Sequence, residues 1–142
     1  MSKEISKDAK EQKLADEPAT AQLTMLLDYY DMDKDDVDEI QRRLYGQMLK
    51  AIKKGRVEVV EEGGKVRLHQ HLKDAPKDVS SVIVYNPVKG QHKIAMKEDE
   101  DDYSKIYALM GAMCGEGGTV LHAFEGVDMS IVESFGAFFL AV

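Results

Sequence analysis

Asp31, Asp33 and Asp35 alternate like the first three ligands of a calcium loop, in which carboxylate oxygens converge on one hard cation. Such a loop begun at Asp31 would need glycine at its sixth position and a bidentate glutamate at its twelfth, where this chain has Asp36 and Arg42. The run therefore reads as the acidic entry to a helix. His69 and His71, two apart on a strand, point to one side and could ligate a metal, but their pattern supplies no third ligand, and His92 and His122 lie far along the chain. Cys114 in AMCGEGG has no base beside it to make it a nucleophile. The glycines that follow could cradle a phosphate, yet they form neither G-x-x-x-x-G-K-[ST] nor G-x-G-x-x-G, and they follow a helix, so they read as its stop. Glu98 to Asp102 could bind a cation or do acid–base work, and reads as a solvated helix start. No nucleophile, base and orienter assemble from these groups. The expected protein is not an enzyme, with no cofactor and no metal site.

The strongest remaining signal is apolar. The chain carries eight methionines and ends in a Phe- and Leu-rich segment. Such a segment serves either as core or as a docking face for another chain, since methionine adapts to several partners and an aromatic helix can seat a second helix. The expected contact residues are Met110, Met113, Phe135, Phe138 and Phe139. Replacing Phe138 and Phe139 by serine separates the two uses: loss of binding if the rings are exposed, unfolding if they are core.

These side chains must be positioned by one domain, because 142 residues with 44% apolar and 32% charged content suit a single globular unit. Nineteen basic against twenty-six acidic residues leave a net charge of −7 and a pI near 5.1, which disfavours nucleic acid as a partner. One cysteine makes no internal disulfide, the start MSKEISKDAKEQK has no apolar core of the kind a signal peptide needs, and no apolar run reaches about 18 residues. A cytoplasmic protein without membrane contact is expected.

Residues 1–20 show no helical or strand period and read as a disordered tail. Residues 21–55 read as an N-terminal helical arm. A short helix is expected from Ala21 to Tyr30 on the spacing of Leu23, Leu26, Leu27 and Tyr30, then a longer one carrying Val37, Ile40, Leu44, Met48 and Ile52, stopped by Gly55. The period changes to two at Arg56. GRVEVVEEGGKVRLHQHL predicts a hairpin with a four-residue loop from Glu61 to Gly64, pairing Val59 with Val66, Val57 with Leu68 and Glu58 with Arg67. SSVIVY predicts a third strand, and HKIAM its hairpin partner after the NPVKG turn. An acidic start then opens a helix with Tyr103, Ile106, Tyr107, Met110 and Met113 on one face. TVLHAF predicts a brief helical turn. A last helix begins at Asp128 or at the Ser130 to Glu133 capping box, and has too many apolar residues for one stripe, so neighbours wrap it on several sides. The fold class is α+β: a small antiparallel sheet of two hairpins packed against C-terminal helices, with the N-terminal helical arm.

The order from about Arg56 to Val142 resembles a phage tail assembly chaperone. The resemblance is carried by a hairpin ending in HLK, the strand of VIVYNPVKG, the acidic entry EDEDDYSKIYALMGAMCG, and LHAFEGVDMSIVESFGAFFL. In the last of these, Leu121, Phe124, Val127, Asp128, Val132, Phe135, Phe138 and Leu140 occupy the positions of the family's leucine-bearing link, acidic residue and aromatic or leucine-rich ending. The helices ahead of the sheet depart from the family, which usually opens with its strands. The resemblance implies a domain at 56–142 that coats the tape measure protein before tail-tube subunits displace it, in the host cytoplasm and without catalysis. A homo-oligomer is compatible with that role. Excess negative charge would keep a client complex soluble. A structural tail component, such as a completion or connector protein, is the alternative, and a small metal-binding protein using His69 and His71 is a further one.

Overall fold

A computed structural model describes residues 16–35, 37–94 and 101–142. Glycine spacing and period changes divide these into an α+β arrangement in chain order: α1 (Asp16–Tyr29), α2 (Glu39–Lys53), β1 (Val57–Glu62), β2 (Lys65–His71), β3 (Val82–Tyr85), α3 (Gly90–Ile94), α4 (Asp102–Cys114), α5 (Gly118–Leu121) and α6 (Gly126–Ala141). The three strands form one antiparallel sheet in the order β1-β2-β3. None of the helices among the described residues is long and apolar enough to cross a membrane.

Most of the expected tail, residues 1–15, lies outside the described residues, but residues 16–20 are already helical. Pro18 falls in the first turn of α1, where a missing amide proton costs nothing, and Asp16 and Glu17 suit the positive end of the helix. Nor is this an arm apart from the domain: Ala19, Leu23, Leu26 and Leu27 join Tyr45, Met48 and Ile52 of α2 in the same core as the strands and C-terminal helices. The side chain of Gln22 accepts a 2.8 Å hydrogen bond from the Val59 amide, so α1 also satisfies part of the outer edge of β1.

The hairpin turns in two residues, not four. Gly63 and Gly64 have φ of +62° and +77°, the conformation of a tight turn whose twist matches the flanking strands, and Val59 therefore pairs with Leu68, Val57 with Gln70 and Glu58 with His69. Because the register moved by two, the same side chains still face inward. Val57, Val59, Val66, Leu68, Ile83 and Tyr85 line the core. The second expected hairpin is absent among the described residues: β3 pairs only with β2, and His92 to Ile94 belong to the helix α3, while Ala95 and Met96 lie outside them. Five residues are too few for period two and period 3.6 to differ visibly.

The acidic residues near the start of α2 have local work. Asp33 accepts from the amide of Asp35 at 2.8 Å, and Asp38 caps α2 by accepting from the amide of Gln41 at 2.8 Å, with Gln41 answering through its side chain at 3.1 Å. Asp101 caps α4 in the same way through the amide of Ser104, which holds its carboxyl below the ordinary value. The last helix starts at Gly126, earlier than expected, leaving Asp128 inside its first turn.

Candidate protein-binding groove

The C-terminal helix presents two different stripes. Its inner one holds all the aromatic residues expected at a docking face, and the structure corrects that expectation: Phe135, Phe138 and Phe139, with Met110 and Met113 of α4, are each at most 2% exposed. Two N-terminal tyrosines close the cluster. Tyr30 stands edge-on to Phe138 and Phe139 with centroids 5.9 and 5.7 Å away, and Tyr45 stands edge-on to Phe138 at 6.2 Å. The aromatic content of α6 thus reflects a helix covered by α2 and the Tyr30 turn as well as by α4, and burial of each ring contributes about 1.5–3 kcal/mol.

Helices α4 and α6 approach closely at Gly136. A Cβ placed there would come within 2.4 Å of Cγ2 of Ile106, so only glycine allows this crossing. Below it, Asp128 is fully buried and accepts from the amides of Lys73 and Asp74 at 2.8 and 2.9 Å, while its backbone carbonyl accepts from Gln70 at 3.0 Å. Gln70 in turn accepts a 2.8 Å hydrogen bond from Tyr85, whose burial raises its pKa and keeps the hydroxyl a donor. This chain of bonds locks the β2–β3 connection and the sheet to the start of α6. The sequence marks Asp128 as a helix cap or as the acidic residue at the entry of the last helix, and neither reading includes these partners.

The outer stripe of α6 lines a groove. Against it lies α2, antiparallel, with Ser134 donating to the side-chain oxygen of Gln47 at 3.2 Å. At one end a recess of about 510 Å³ is floored by Leu44, Ile106 and Ala137 and flanked by Tyr103, with Asp102 and Glu133 supplying its charges. At the other a recess of about 350 Å³ is floored by Ala51, Ile131 and Phe135 and flanked by Lys50, Lys54 and Arg56. Gln47, Ser130 and Ser134 border both recesses, which adjoin along the α2–α6 seam and together form the groove. Leu44, Gln47, Ala51 and Lys54 fall three or four residues apart on α2, and Ile40 continues that stripe outward at 79% exposure. From Ile40 to Lys54 the stripe is about 21 Å long at the rise of an α-helix. Tyr103, expected on the core face of α4, is 64% exposed instead. Its neighbour Tyr107 donates to Glu133 at 2.8 Å, and burial followed by that bond raises the Tyr107 pKa.

The remaining polar groups are dispersed. His71 lies 3.8 Å from Glu58 on the outward face of the sheet, and His69 shares that face. His92 accepts from the amide of Lys89 at 3.0 Å, and the His122 ring stacks edge-on to Tyr107 at 5.1 Å. No three His, Cys, Asp or Glu side chains gather to hold a metal among the described residues. Cys114 is half-buried, and that burial pushes its thiol above the ordinary value. Gly115 ends α4 in the left-handed conformation with φ of +75°, the role its position after Cys114 suggests. A larger, shallow groove of about 840 Å³ runs between α1 and the hairpin, bounded at one end by Asp16, the first described residue, which pairs with Lys53 at 2.8 Å.

Comparison of the chain with protein-family models, with curated proteins and with solved structures finds no match. The function must be argued from the groove itself and from the sequence pattern.

Proposed function

We propose that this protein is a non-enzymatic assembly chaperone of phage tails, which holds a helical segment of the tape measure protein in the α2–α6 groove. The observation that carries the reading is the groove: two adjoining recesses along about 15 Å of α2, from Leu44 to Lys54, with an apolar floor between polar walls, lying against α6, the helix of this pair that belongs to the region resembling the chaperones. An amphipathic client helix fits such a channel because its apolar stripe can cover Leu44, Ala51 and Ala137 while its flanks meet Gln47, Ser130 and Ser134. The contact residues are therefore not the buried Met110, Met113, Phe138 and Phe139 but the groove-lining side chains, with Phe135 reaching only the floor of one recess. Client release asks little of such a surface, since a shallow groove without a deep aromatic anchor favours exchange over permanent assembly.

The test is capture of a tape measure protein, whose gene the chaperone resemblance places next to this one. Co-expression followed by size-exclusion chromatography should give a complex that Leu44→Asp abolishes, with the circular dichroism spectrum of the domain unchanged. Purified mature particles should lack the protein. Capture unaffected by Leu44→Asp removes the groove from the reading, and presence of the protein in mature particles makes it a structural tail component instead.

A further inference from the structure

The groove is electrically polar along its length, and we infer that it fixes the direction in which a client helix lies. Among the described residues that line it, its Ala137 end carries Asp102 and Glu133 and no cation, and its Val127 end carries Lys50, Lys54 and Arg56 and no carboxylate. The ion pairs among the described residues are Lys53 with Asp16 and His71 with Glu58, so these five charges are not neutralised by one another. Glu133 is held in place by the hydroxyl of Tyr107. Between the two ends, Gln47, Ser130 and Ser134 are uncharged.

Rims of opposite sign separated by a neutral middle match one kind of occupant: an amphipathic helix whose basic side chains cluster at one end and acidic ones at the other. Its basic end lies over Asp102 and Glu133, its acidic end over Lys50, Lys54 and Arg56. The reversed placement puts like charges together at both ends and is disfavoured. The apolar floor supplies adhesion without direction, and the charges supply direction. This inference rests on the groove being the client site. It goes further by stating the charge order of the client and the way it points.

Two labelled synthetic amphipathic helices of about 20 residues test it, a length that covers the groove. They share composition and apolar stripe. One carries its lysines in one half and its glutamates in the other, and its counterpart has them interspersed. Fluorescence anisotropy at low salt should show the segregated helix binding about five- to tenfold more tightly, with the advantage disappearing at about 0.5 M salt as screening shortens the reach of the charges. Reversing one end, by Asp102→Lys with Glu133→Lys or by Lys50→Glu with Lys54→Glu, should weaken the segregated helix. Combining all four reversals should restore it, because the peptide can then lie the other way round.

Equal affinity of the two helices, each lost in Leu44→Asp, overturns the polarity and leaves the groove as the site. Binding of neither helix, together with capture of the tape measure protein by Leu44→Asp, overturns both. A dimer seen by analytical ultracentrifugation that excludes both helices overturns the inference as well, by giving the groove to a second copy.

Discussion

The inner and outer stripes of the C-terminal helix are built from the same sixteen residues and obey different rules. The inner stripe is aromatic and fully buried, and packs against α2, α4 and Tyr30. Ser130, Ser134 and Ala137 on the outer stripe are small or polar, and they border a channel. Large apolar side chains thus mark where the chain folds on itself. The surface available to a partner is drawn from modest residues whose value comes from their arrangement. An amphipathic pattern alone does not tell these uses apart, because the signal for a docking face and for a core face is the same.

The sharpest way to break the comparison is to attack the inner stripe. Phe138→Ala is expected to cost about 3–5 kcal/mol and to lower the midpoint of urea unfolding accordingly. Wild-type stability in that variant would mean the ring is not core. Next in size is Asp128→Ala, which strips the amides of Lys73 and Asp74 of their partner. A loss of about 1–3 kcal/mol is expected, with faster amide exchange at those two residues specifically. Gly136→Ala forces Ile106 to move and should cost about 1–3 kcal/mol by the same unfolding measurement. Tyr45→Phe acts in the other direction. The Tyr45 hydroxyl is buried without a hydrogen-bond partner among the described residues, so its removal should raise stability by about 1 kcal/mol.

Much of the frame was legible in the chain. The apolar spacing located α2, α4 and α6, the change to period two located β1 and β2, and the fold class followed. The hairpin register was off by two because charge pairing of Glu58 with Arg67 favoured a longer loop, whereas the positive φ of Gly63 and Gly64 decides the turn. Asp128 was visible as an acidic residue at a helix start, but its partners lie 54 and 55 positions away and no local rule reaches them. The groove was hidden for a related reason. Gln47, Ser130 and Ser134 are unremarkable one at a time, and only the antiparallel placement of α2 on α6 brings them together.

Tyr103→Ser tests the central claim most directly, because this side chain flanks the groove, is largely exposed and belongs to no part of the buried cluster. Unfolding free energy should stay within about 0.5 kcal/mol of wild type while the amount of tape measure protein recovered in the complex falls. Full recovery of the client by a variant of unchanged stability would contradict the groove as the binding face.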